Sequence, residues 1–173
     1  MNPSVPHHKI HANAQLFLDC DGVLADFDRA AEAIFHMPAP QAQQQLGQKH
    51  FWNTLRRHED FYGTLPLLPD ALKLFRAVEH LNPIILTGCP LGGWAEAQKH
   101  RWAATHFPGT RMITCMSREK RLHMKPGDIL VDDFLKYREL WEDAGGIFIH
   151  HTSADRTITQ LIRLGLLPSP APQ

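Results

Sequence analysis

Residues 16–28 read LFLDCDGVLADFD, an apolar run of strand length that ends in two aspartates one residue apart, Asp19 and Asp21, with Gly22 directly after them. No other stretch constrains the fold as tightly. A short apolar run without helical period is the sequence of a strand buried on both faces, as strands are in parallel sheets covered by helices. Open α/β sheets place their chemistry just past the C-terminal ends of such strands. Asp19 interrupts an apolar strand rather than a polar loop, where an unpartnered charge is costly. The pair is therefore read as a hard-cation site that also supplies a carboxylate nucleophile, and Gly22 permits the sharp turn that follows.

The rest of the chain alternates strand and helix signals. A first strand is expected over 14–19, then a helix from Asp28 stopped by Pro38 and Pro40. Residues 41–62 are polar with interleaved Phe51, Trp52, Leu55, Phe61 and Tyr62, the pattern of a small helical insertion. Past Leu65 a helix with Asp70 in its first turn presents Leu72, Phe75, Val78 and Leu81 as its packing face. A second strand, PIILTGCP, ends at Thr87, and a helix runs from about Trp94 to Phe107. RMITCMS is a third strand, and GDILVDDF a fourth, which ends in Asp132 and Asp133. KYRELWEDAGG reads as a helix, GIFIHH as a fifth strand and TITQLIRLGLL as the last helix. This alternation predicts an α/β fold, a doubly wound parallel sheet with right-handed crossovers and a small helical cap inserted after the first strand. The expected organisation is a core of residues 14–27 and 65–167, a cap over 28–64, and flexible tails at 1–13 and 168–173.

Composition narrows the function classes. A chain of 173 residues has room for one domain with a small insertion. Its 18 basic and 18 acidic residues balance, which leaves no electrostatic footprint for a nucleic-acid polymer or an anionic membrane. No stretch has the length of a membrane span. Cys20, Cys89 and Cys115 show no CxxC spacing and are odd in number, the pattern of free thiols in a reducing, cytoplasmic setting. Cys20, between the two aspartates, is expected to point away from them into the core. Of the 12 histidines, His7, His8 and His11 fall in the N-terminal tail with no partner ligand, and His150 and His151 end a strand. Neither group is read as a metal site.

The polar groups at strand ends and on neighbouring helices are Asp19 and Asp21, Thr87, Lys99 with Arg118 and Lys120, and Asp132 with Asp133. Carboxylates from two strands can hold Mg²⁺, whose octahedral shell is commonly completed by substrate phosphate. A hydroxyl and a lysine beside it would bind phosphoryl oxygens, making a phosphoryl-transfer site with an aspartate nucleophile. Phe51, Trp52, Phe61 and Tyr62 are candidates to stack on a substrate from the cap, Trp52 the foremost. Trp94, Trp102 and Trp141 are expected to pack helices on the sheet. A phosphoacceptor receiver module also uses an acidic pair, a threonine and a lysine, but carries its acceptor aspartate on a later strand. No GxxxxGK[ST] loop occurs, which excludes a P-loop kinase.

DCDGV, a strand ending in Thr87, a lysine and LVDD, in that order over roughly residues 14–135, resemble the haloacid dehalogenase-like phosphatase superfamily. Within it, DGVLADF, KHRWAATHF around Lys99, SREK at 117–120 and LVDD at 130–133 are most similar to the pyrimidine-type 5'(3')-deoxyribonucleotidases, with Lys99 and Trp102 matching a K-x-x-W pattern. Arg118 and Lys120 match a T-R-x-K element in which Ser117 replaces the usual threonine. The resemblance implies a Mg²⁺-dependent nucleoside monophosphatase that prefers deoxy forms. Asp19 would attack phosphorus, and Asp21 would act as acid and then base. Mg²⁺ would be held by Asp19, the Asp21 backbone carbonyl and Asp133, with Asp132 acting through water. Thr87 and the Gly88 amide would bind phosphate, Lys99 would neutralise the phosphoryl charge, and Arg118 and Lys120 would contact phosphate or sugar hydroxyls. Family members are often homodimers. Where they read T-S-P this chain reads Thr87-Gly88-Cys89-Pro90, which leaves the backbone as second phosphate donor, and its cap insertion is shorter. A sugar phosphate or other small phosphomonoester is the alternative substrate, and a non-catalytic binding module the alternative class.

Overall fold

The computed structural model describes residues 13–169. Of the two expected tails, 1–12 and 170–173 lie outside that range. Five strands form one parallel sheet: β1 (Leu16–Leu18), β2 (Ile84–Gly88), β3 (Met112–Cys115), β4 (Ile129–Asp132) and β5 (Ile147–His150), in the order β3-β2-β1-β4-β5. β1 and β4 are buried along their whole length, as the apolar run of β1 and the apolar residues before Asp132 in β4 predict. The sheet order puts β1 between β2 and β4, with Phe17 in register with both Ile84 and Leu130. The ends of these three strands therefore lie side by side.

Helices cover the sheet: α4 (Ala71–Val78), α5 (Glu96–His106), α6 (Arg138–Asp143) and α7 (Ala154–Arg163). Between β1 and α4 stand α1 (Phe27–Phe35), α2 (Ala39–Leu46) and α3 (Gln48–Arg57). Asp26 caps α1 by accepting from the Arg29 amide at 3.1 Å. α1 ends at His36, which adopts the left-handed conformation at φ 55°. Pro40 does not merely terminate α1, as the sequence suggests. It lies in the first turn of α2, where its missing N–H costs nothing.

The chain enters and leaves this three-helix segment through two strand-like stretches held together. The Asp26 amide donates to Pro66 O at 2.8 Å and the Leu68 amide to Leu24 O at 2.9 Å. Val23, Leu24 and Ala25 are fully buried beneath this crossing.

On α4 the packing face differs from the expected one. Ala71, Leu74 and Val78 are buried, whereas Leu72 is exposed. Asp70 bonds the amide of Ala154 at 2.7 Å and so ties the start of α7 to α4. No helix among the described residues is long and apolar enough to cross a membrane.

Candidate active site

The turn after β1 carries the first two carboxylates. Gly22 has φ +82°, and a Cβ there would overlap the Asp133 carboxylate. The glycine thus serves both the turn and the approach of Asp133 from the end of β4. Asp19, Asp132 and Asp133 each bring an oxygen within 4.8 Å of the others. Burial, then Asp19, then Asp132 push Asp133 up to about 7. Burial and Asp19 push Asp132 up to about 6, against the pull of Lys120. Three hard oxygen donors brought together, with Asp132 and Asp133 held above the ordinary carboxylate range, match the donor set a Mg²⁺ ion takes. The side chain of Asp21 stands outside this cluster.

Two buried lysines divide the carboxylates between them. Lys120 Nζ lies 2.7 Å from Asp19 Oδ1 and 2.7 Å from Asp132 Oδ2. Lys99 Nζ lies 2.5 Å from Asp21 Oδ2 and donates to Thr87 Oγ1 at 2.9 Å. Burial opposes the charge on each, but the aspartates they touch outweigh it and raise both above the usual lysine value. The lysines meet other partners than those expected of them. Lys120, read as a substrate contact, is the cation against Asp19, and Lys99, read as the phosphoryl neutraliser, sits on Asp21. Lys99 is also covered by the Tyr62 ring, whose centroid is 4.4 Å from Nζ.

Burial raises the pKa of Asp21, Lys99 lowers it and Asp19 raises it further, and the sum lies above the ordinary carboxylate value. Its Oδ1 is buried without a hydrogen-bond partner, the state of a carboxyl oxygen free to carry a proton. Asp132 is the converse case. Its Oδ1 accepts from the Phe134 amide at 2.9 Å and its Oδ2 from Lys120, so both oxygens are engaged.

A cavity of about 980 Å³ opens above the aspartates. Asp19, Asp21, Lys120, Asp132 and Asp133 line it, as do Gly88, Arg118, Trp52 and Tyr62. Thr87 and Lys99 do not; both are buried below the floor. Phe51 and Phe61 are also outside it, as corrections to the expected stacking set. Phe51 stacks on Phe35 at 4.7 Å, and Phe61 packs edge-on to Phe27 at 5.6 Å, so they fill the interior of the helical segment. Phe27, unnoticed in the sequence, does line the cavity beside Trp52. Its signal was an aromatic directly after the acidic turn. Cys20 is buried, as strand alternation predicts.

No protein-family model and no curated protein matches the chain. Among solved structures it is similar to a hydrolase from Streptococcus pneumoniae TIGR4, with TM-score 0.53 and 12% identity, over 89% of this chain and 99% of that one. It is also similar to a HAD-superfamily hydrolase from Ehrlichia chaffeensis, with TM-score 0.50 and 15% identity, over 86% of this chain and 97% of that one. At these identities the likeness concerns the fold, and the fold of this chain is the Rossmann-like α/β fold of the haloacid dehalogenase-like proteins.

Proposed function

We propose that this protein is a Mg²⁺-dependent phosphatase that hydrolyses nucleoside monophosphates, with a preference for deoxyribonucleotides, by transferring the phosphoryl group to Asp19. The observation that carries the reading is the separation of the two aspartates. Each has its own lysine, Lys120 for Asp19 and Lys99 for Asp21, but Asp19 joins the cluster of Asp132 and Asp133, whereas Asp21 stands outside it with an unpartnered buried oxygen and a pKa raised chiefly by burial. One carboxylate inside the metal-type cluster and one beside it with a free oxygen is an arrangement suited to one nucleophile and one acid–base group.

In the first step an oxygen of Asp19 bonds to phosphorus, the ester P–O bond breaks, and Asp21 gives its proton to the leaving oxygen. In the second, water attacks the phosphoryl group, Asp21 takes the water's proton, and the bond between Asp19 and phosphorus breaks. Lys120 stays beside Asp19 throughout and offsets negative charge there. Asp19, Asp132 and Asp133 would hold Mg²⁺, which supplies Lewis-acid stabilisation of the phosphoryl oxygens.

The cavity walls support an anionic, nucleotide-sized substrate. Beyond the aspartates at its floor the lining includes Lys49, Arg118, Arg121 and Lys136 and no other carboxylate. Phe27, Trp52 and Tyr62 offer apolar surface, and Gln43 and Asn53 offer amides for a base edge or sugar hydroxyl. Phosphate release from dUMP, dTMP, UMP, AMP, a sugar phosphate and an aryl phosphate, with and without Mg²⁺, tests the reading. Metal-dependent release led by the deoxypyrimidine nucleotides, and lost by on the order of 10³-fold or more in Asp19→Asn, is expected. Release from the sugar phosphate alone would reject the nucleotide assignment. Undiminished turnover by Asp19→Asn would reject the mechanism.

A further inference from the structure

Thr87 is the residue whose hydroxyl the sequence points to for phosphate, and its placement rules it out as a side-chain donor in this arrangement. It is fully buried, does not line the cavity, accepts from Lys99 and faces the Gly88 carbonyl at 3.4 Å. The next residue, Gly88, does line the cavity, and its φ lies outside the left-handed region, so its backbone does not require a glycine. What requires one is space. A Cβ on Gly88 would overlap Ser117 Oγ, and the Ser117 Cβ is 3.1 Å from the same point. Two positions share one side chain's volume at the end of β2, and the atom that fills it is a hydroxyl oxygen.

Ser117 opens the short 3₁₀ segment Ser117–His123, which packs against β2 and α6. In a 3₁₀ helix side chains three apart eclipse one another, so Ser117 shares a face with Lys120. That face is fixed independently by the contacts of Lys120 with Asp19 and Asp132. Ser117 and Lys120 both line the cavity with the aspartates.

We propose that the Ser117 hydroxyl donates a hydrogen bond to a non-bridging oxygen of the phosphoryl group at Asp19, the role the sequence assigns to Thr87. The inference rests on the phosphatase reading above and names a further phosphate-contacting residue for it. Gly88 is then the position that makes room for this donor, and the backbone is not left as the second one.

The test compares wild type with Ser117→Ala, Ser117→Thr and the exchange Gly88→Ser/Ser117→Gly, after thermal melts confirm that each is folded. Two quantities are read: kcat/KM for the best phosphomonoester, and the affinity for inorganic phosphate by calorimetry in the presence of Mg²⁺. Loss of one donor to a charged oxygen predicts a fall of roughly 10- to 100-fold in kcat/KM for Ser117→Ala. Weaker phosphate binding should accompany it, with recovery in Ser117→Thr and partial recovery in the exchange variant. A residue that only spaced β2 from the 3₁₀ segment would leave phosphate affinity unchanged in Ser117→Ala, because alanine keeps the Cβ at that contact. If wild type hydrolyses esters and Ser117→Ala matches it in both readouts, the Ser117 assignment falls and the phosphatase reading stands. If wild type hydrolyses none of the panel, the phosphatase reading falls, and equal phosphate affinity in wild type and Ser117→Ala overturns the assignment as well.

Discussion

Single residues at this site are constrained by their neighbours more than by their own chemistry. Gly22 is the clearest case, because two independent demands meet there: a positive φ and the absence of a Cβ beside Asp133. Gly22→Ala would place an L residue in left-handed backbone at a cost of about 1–2 kcal/mol. It would also drive the Asp133 carboxylate away from Asp19 and Asp132. The expected outcome is a stability loss of that size in urea denaturation together with a higher Mg²⁺ concentration for half-maximal activity. A variant with lowered stability and an unchanged Mg²⁺ requirement would show that Asp133 can reach the metal from elsewhere. The acidic residues of this constellation were legible in the sequence because a carboxylate at the end of an apolar strand has few other uses. The pairing of Lys99 and Lys120 with particular aspartates was not. A lysine stem is long enough to serve either carboxylate, and the choice is made by how α5 and the 3₁₀ segment after β3 are seated on the sheet.

At the scale of elements, α5 shows how that seating is done. Its buried face is Lys99, Trp102 and Ala103. Trp102 Nε1 donates to Leu65 O at 2.8 Å, and Gln98 Oε1 accepts from the Tyr62 amide at 2.9 Å. α5 is thereby fastened to the stretch that leads from the helical segment back to the sheet, one turn from the lysine that meets Asp21. Trp102→Phe keeps most of the buried ring but leaves the Leu65 carbonyl without its donor, a loss of about 1–3 kcal/mol. Denaturation should show that loss, with a drop in kcat larger than any change in KM, since Lys99 lies below the cavity and not in it. An unchanged unfolding free energy would mean the Leu65 carbonyl finds another donor. Hydrophobic pattern revealed the existence of α5 but not this fastening, which depends on a backbone carbonyl 37 residues away. The same limit explains α4. Large apolar residues suggested a face containing Leu72, yet the buried face is built on Ala71, where a small side chain permits the close contact with α7.

Over the whole molecule, the β5 edge of the sheet is tied to the end of β4 through a buried histidine. The His151 amide donates to Asp132 O at 2.9 Å, and its Nδ1 lies 2.8 Å from Thr157 Oγ1 on α7. The charged groups facing it are Asp70, which favours its protonation, and His150, which opposes it. Burial is the largest effect and acts in the same direction as His150; together they outweigh Asp70, and the imidazole titrates below its ordinary value. The folded state therefore favours neutral His151, so the sign is that of a depressed pKa. Its contribution is complete above the ordinary histidine pKa of about 6.5, and it is lost as pH falls from there through the folded-state value. His151→Gln retains a polar partner for Thr157 and cannot titrate. Melting temperatures of wild type and variant, followed from pH 8 to pH 5, should converge or cross as the pH drops below about 6.5, because only the wild type must charge a buried ring. Since other groups titrate equally in both proteins, parallel curves would mean that His151 is hydrated and charged without cost in the fold.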